Sequence, residues 1–216
     1  MGELMPLLAR PLLIAACALL LAGCAHVVKT QAFPGLEQAQ SGASAVAIAP
    51  FDARGRGGVP ATEGPEAEGA PVVARQVAEA IAARGVKVIP PEDVARALQS
   101  AGVPADAKTE QIAAIAQQKF GANLLLTGQV SRYRDRRGEN LGAASPASVG
   151  FSVTLYQAPA ATRLWSASFD ETQAPISSNL FNLGRYPGGG TRWLTADELS
   201  KWGADGVADA FPVSAK

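Results

Sequence analysis

The stretch Asn123–Tyr133 (NLLLTGQVSRY) constrains the fold more than any other. Its first half is apolar at consecutive positions. Successive residues of a strand point to opposite faces, so a strand of this kind is buried on both sides and sits centrally in a sheet. Downstream, Val149, Phe151, Val153 and Leu155 alternate with Gly150, Ser152, Thr154 and Tyr156, and Trp165, Ala167 and Phe169 alternate with Ser166, Ser168 and Asp170. That period marks two strands buried on one side and wetter on the other. The residues Ala158–Thr162, which include Pro159, join them as a hairpin turn.

Upstream, Ser44–Phe51 (SAVAIAPF) and Val86–Ile89 are short apolar runs that meet Pro50 and Pro90-Pro91, and both read as strands. Helical spacing relates Val73, Val77, Ala80 and Ile81; Val94, Ala97, Leu98 and Ala101; and Ile112, Ile115, Ala116 and Phe120. Gly85, Gly102 and Gly121 close these helices in turn. Between the first strand and the first helix, Asp52–Pro71 is Gly-, Pro- and charge-rich and reads as a long loop, either functional or disordered, with disorder the favoured expectation. Further on, Asn179–Leu183 reads as one apolar turn of helix and residues 185–192 (RYPGGGTR) as a loop. Thr195-Ala196-Asp197-Glu198 forms a capping box that opens a last helix carrying Leu199, Trp202, Val207 and Phe211. The order predicts an α/β domain with a single mixed sheet. Its first three strands run parallel through right-handed crossovers, the C-terminal hairpin adds antiparallel, and helices lie mainly on one face.

The N-terminus says where such a domain is kept. Leu12–Leu21 (LLIAACALLL) is an apolar run preceded by Arg10 and followed by Ala22-Gly23-Cys24. This is the layout of a secretory signal peptide, and the run is too short for the roughly 20 residues of a spanning helix. Glu3 fits the charged start poorly, so translation from Met5 is an alternative. Leu21-Ala22-Gly23-Cys24 resembles the lipobox of bacterial lipoproteins. That resemblance implies a leader over residues 1–23, acylation of Cys24 and attachment to the membrane through its acyl chains. Ala25, rather than Asp, next to the cysteine implies the outer membrane, with the domain in the periplasm. Residues 24–43, of mixed polarity with Pro34-Gly35, read as a lipidated tether, and residues 44–216 as the periplasmic domain.

Composition excludes several chemistries. Lys plus Arg equals Asp plus Glu at 19 each, so no net field draws nucleic acid or anionic lipid. With Cys17 in the leader and Cys24 acylated, the mature domain holds no free thiol for a disulfide, thiol catalysis or metal ligation. The single histidine, His26, lies two residues from the anchor, so neither a Ser-His-Asp triad nor a histidine metal site is expected. No cofactor is implied. Gly55-Arg56-Gly57-Gly58 and Gly188-Gly189-Gly190 lack the Gly-Lys-Ser/Thr ending of a phosphate loop.

Val46–Phe51, Gly85–Ile89, Phe120–Val130 and the hairpin residues Leu164-Trp165 together resemble a periplasmic domain of known lipoproteins. It is shared by the curli-secretion lipoprotein, the lipoprotein activator of penicillin-binding proteins and the N-terminal domain of the Tol-Pal β-propeller protein. The resemblance covers about residues 44–170. It implies the same fold and action by binding, with no catalytic residues to carry over. Two departures stand out: there is no spare pair of long alternating strands for a transmembrane barrel, and residues 171–201 match none of these proteins.

Candidate surfaces are few. Arg132, Arg134, Arg136 and Arg137 form the one dense basic cluster. It is either an anion contact or a solvated strand end balanced by Asp135 and Glu139. Phe181, Arg185, Tyr186, Arg192, Trp193 and Trp202 concentrate aromatic and arginine side chains in the tail, as a partner surface or as packing over the sheet. Asp170-Glu171 offers adjacent carboxylates. The leading expectation is a non-enzymatic envelope-assembly or adaptor protein with a periplasmic protein partner. A self-associating subunit of a ring-forming export complex is the alternative, and an enzyme acting on cell-wall glycan is a third reading.

Overall fold

The computed structural model describes residues 28–104, 106–139, 142–174, 186–187 and 192–213. In chain order the strands are Val28–Ala32 (β1), Val46–Ile48 (β2), Asp52–Ala53 (β3), Val88–Ile89 (β4), Leu124–Arg134 (β5), Arg137–Glu139 (β6), Gly142–Ser145 (β7), Ser148–Gln157 (β8) and Thr162–Thr172 (β9). The helices are Leu36–Ser41 (α1), Pro65–Ala82 (α2), Pro91–Ser100 (α3), Thr109–Phe120 (α4) and Ala196–Asp209 (α5). The main sheet runs β1-β9-β8-β5-β2-β4, with β3 also paired to β5 beyond the end of β2. β2 is parallel to β4 and β5, whereas β8, β9 and β1 add antiparallel. This is the expected mixed sheet, with Leu124–Arg134 as its central strand.

The side chains of β5 explain how the faces differ. Leu124, Leu126 and Val130 point into the larger core, where α2 and α5 lie side by side under the sheet. There they meet Val46, Ile48, Phe151, Val153, Leu155 and Phe169. Leu125 points the other way, into a smaller core formed with Ala47, Val94, Leu98, Ile112 and Ala116 by α3 and α4. Past Thr127 no residue of β5 enters that second core. The two longest helices therefore cover one face across its width, and α3 with α4 cover the other only at its parallel end.

Close approach in the larger core depends on missing side chains. A Cβ on Gly128 would lie 2.4 Å from the Phe51 ring, and one on Gly203 of α5 would lie 2.7 Å from the Phe169 ring. Expected helix ends also appear: Gly85, Gly102 and Gly121 all have positive φ. The Thr195 capping box is complete, with Thr195 Oγ1 accepting from the Glu198 amide and Glu198 accepting from the Thr195 amide.

Three segments differ from the sequence expectation. The segment read as a tether carries β1 and α1, and β1 pairs with β9 over its whole length. β1 is an edge strand with only Val28 buried, so backbone bonds hold it and no hydrophobic alternation announces it. Within the expected loop 52–71, β3 forms and α2 begins at Pro65. Pro65 suits the first helical position because its ring presets φ and its absent N–H would be unpaired there anyway. Glu66 and Glu68 favour the positive end of the helix dipole. Finally, β6 and β7 make a small hairpin between β5 and β8 that no apolar pattern marks. The helical turn expected at Asn179–Leu183 lies outside the described residues.

Candidate functional surfaces

The face of the sheet left open by α3 and α4 is lined by hydroxyls and amides in two cross-strand rows. Lys29, Ser168, Ser152 and Gln129 stand side by side on β1, β9, β8 and β5, and Gln31, Ser166, Thr154 and Thr127 form the adjacent row. The alternation in β8 and β9 places every second residue here while Phe151, Val153, Ala167 and Phe169 anchor the same strands from below. Where the two rows meet the parallel end, they pass into a cleft of about 580 Å³. Asp52 and Arg54, Thr109 and Ile112 of the first turn of α4, and Tyr156 and Arg163 line it. The Arg163 guanidinium lies over the Phe33 ring at 5.3 Å. Arg54 donates through Nη1 to the Gly58 carbonyl at 3.3 Å, and its Nε is enclosed without a partner. Such a surface offers donors and acceptors in quantity but no nucleophile paired with a base. Neither cysteine nor histidine occurs among the described residues.

At one end of this face, Arg132 reaches across Gly150 to an ion pair with Asp170. Arg134 and Arg137 are exposed, and Arg136 is partly buried with Nη1 lacking a partner. The balance expected from Asp135 is partly committed elsewhere: its carboxylate accepts from the Ala196 amide at the start of α5 (3.0 Å) and from the Arg136 amide (2.8 Å). Asp170 and Glu171, adjacent on β9, point to opposite faces. Asp170 meets Arg132, while Glu171 accepts from the Tyr186 hydroxyl at 2.7 Å. They are therefore not a facing pair of the kind glycan cleavage needs.

The tail folds back over the larger core. Tyr186 is buried, with its ring centroid 5.4 Å from Trp202, which stands edge-on to Phe169 at 5.8 Å. Buried Gln173 ties the same segment down, donating to the Arg192 carbonyl (2.8 Å) and accepting from the Leu194 amide (2.7 Å). Arg192 grips Glu198 with two bonds of 2.7 and 2.6 Å. That guanidinium, together with the Thr195 amide, holds the Glu198 carboxyl at about 2, against the opposing effect of burial. Burial pushes the Tyr133 hydroxyl up, with Asp197 and Asp135 adding to the shift. Of the tail residues singled out from sequence, Trp193 and Arg192 remain partly exposed. Phe181 and Arg185 lie outside the described residues, as does Cys24. Among the described residues no cluster of three potential metal ligands occurs, and no helix is long and apolar enough to cross a membrane.

The open-face residues and the cleft were not singled out from the sequence. The signal available was the Ser/Thr alternation of β8 and β9, which marks a wetter face without revealing how much of it helices cover.

No protein-family model matches this sequence, and no curated protein matches it. Among solved structures, the chain is similar to a PelC dodecamer from Paraburkholderia phytofirmans at 18% identity, covering 88% of this chain and 97% of that one with a TM-score of 0.48. It is also similar to lipoprotein GNA1162 from Neisseria meningitidis, at 18% identity over 63% of this chain and 85% of that one with a TM-score of 0.43. The C-terminal domain of LpoB from Escherichia coli is similar at 16% identity, over 66% and 96% of the two chains, with a TM-score of 0.39. All three are likenesses at low identity, and the functional reading rests on this chain's own residues.

Proposed function

We propose that this chain is an outer-membrane lipoprotein, acylated at Cys24, whose periplasmic α/β domain acts without catalysis as an envelope-assembly or adaptor protein. The observation that carries the reading is the open sheet face. Two rows of side chains from Lys29 and Gln31 to Gln129 and Thr127, exposed at Lys29, Gln31 and Ser152 and partly buried at the others, stand on strands whose other side is fixed in the larger core. A rigid platform lined with satisfiable donors and acceptors suits a partner docked by hydrogen bonds, and β1 beside it is a sheet edge that pairs with no further strand among the described residues, open to backbone pairing. The test is a photo-reactive residue placed at Ser168 in the full-length protein in cells, with Gln117 on the exposed side of α4 as control. A discrete adduct from position 168 and none from 117 is expected. The absence of any adduct at 168 overturns the reading.

The sheet's two ends support a second reading as a ring subunit. β1 and β4 are unlike edges at opposite ends of one sheet, an arrangement suited to head-to-tail association. The β4 edge is only two residues long and runs into Pro90 and Pro91, features that blunt strand-to-strand pairing. The adaptor reading is therefore the stronger. A large discrete multiple of the subunit mass for the lipidated protein in mild detergent reverses that ranking.

A further inference from the structure

The proposed anchor and the arginine cluster lie at the same end of the sheet. Cys24 precedes Val28 by four residues, a reach of at most about 14 Å of extended chain. Lipidation at Cys24 thus leaves no long tether, and the entry to β1 is held close to the membrane surface. The registers then fix which end faces the lipid. Val28 stands beside Phe169, Phe169 beside Phe151, and Phe151 beside Val130. Beyond that level β5 continues through Arg132, Tyr133 and Arg134, and the chain turns through Asp135 and Arg136 into Arg137 of β6. Three strand spacings separate β1 from β5, about 14 Å across the sheet. At the far end lie the Ala158–Ala161 turn and α1.

The charges at the near end are unevenly spent. Asp170 is paired with Arg132, Glu171 accepts from Tyr186, Glu198 is held by Arg192, and Asp135 accepts from the Ala196 and Arg136 amides. Arg134 and Arg137 are exposed and in no ion pair among the described residues, and the enclosed Nη1 of Arg136 has no hydrogen-bond acceptor. Guanidinium forks match phosphate oxygens bidentately. Resting on the lipoprotein reading, we infer that Arg134 and Arg137 lie on the membrane surface and bind phospholipid headgroup phosphates. This second contact sets the domain's orientation and turns the far end toward the periplasm.

The test uses the full-length lipidated protein in phosphatidylethanolamine–phosphatidylglycerol vesicles that carry nitroxide-labelled headgroups. A fluorophore is attached at Ala144→Cys on β7 or at Ala160→Cys in the far turn, both exposed positions. Strong quenching at 144 and weak quenching at 160 is expected. Arg134→Gln with Arg137→Gln lowers quenching at 144 toward the level at 160, and the corresponding pair of lysines keeps most of it. Equal quenching at both positions, or quenching at 144 that the glutamine pair leaves unchanged, overturns the inference. Vesicle flotation of the same samples separates the two failures. Protein that does not float loses the anchor and this inference together, whereas protein that floats with an unquenched label at 144 loses this inference alone.

Discussion

The two halves of the sheet are built from the same strands but treated differently by the rest of the chain. At the parallel end, β2 and the first half of β5 are buried on both faces, and Ala47 and Leu125 are as enclosed as Val46 and Leu124. At the antiparallel end, β8, β9 and β1 give one face to α5, and no described helix covers the other. Parallel strands need crossover helices, and those helices cover them. β8 and β9 are joined by a turn rather than a crossover helix, so no described helix hides their second face. The parallel half is therefore scaffold, and the antiparallel half supplies a fixed surface.

This division makes the same kind of substitution costly in one half and silent in the other. Leu125→Ala, on the upper face at the parallel end, is expected to destabilise by about 2–5 kcal/mol through the cavity it leaves, measured by urea unfolding. Gly128→Ala, at the boundary, drives a methyl into the Phe51 ring and is expected to cost about 1–3 kcal/mol. Thr195→Ala removes the cap of α5 and is expected to cost about 1 kcal/mol, since that helix supports the antiparallel half from below. Ser152→Ala, on the same upper face as Leu125 but at the open end, is expected to stay within about 0.5 kcal/mol of the parent. A large loss there erases the contrast between the halves.

Acid sharpens the picture further. Because the folded Glu198 carboxyl sits at about 2 against its ordinary 4.5, its contribution to stability is full above pH 4.5 and is lost as the pH falls toward 2. The gap in melting temperature between the parent and Glu198→Gln is therefore expected to narrow across that window. Both side chains of the Arg192–Glu198 pair are more than a third exposed, so solvent screening keeps the gap small.

Much of the fold is legible because burial leaves a period in the sequence. Leu124–Leu126 announce a strand covered twice, Val149–Leu155 a strand covered once, and Thr195 with Glu198 a helix start. The elements that escape are those held by backbone or by a single contact. β1 contributes one buried residue, the start of α2 is hidden among prolines and glycines, and the β6–β7 hairpin has no apolar face. The open surface escapes for a different reason. Ser152 and Ser168 read as a wet face, but whether a helix crosses that face depends on where α3 and α4 end, which tertiary packing decides. The arginine cluster is visible in sequence, yet its place at the same end of the sheet as the start of β1 follows only from the strand registers.

The proposed function puts the partner on the open face of the antiparallel half. Single cysteines at Ser152 and Ser168, and at Gln117 on α4, compared for labelling rate in intact envelopes and in purified protein, test it most directly. In the envelope, labelling at 152 and 168 is expected to slow several-fold while 117 stays unchanged. Equal rates at all three positions in both settings contradict it.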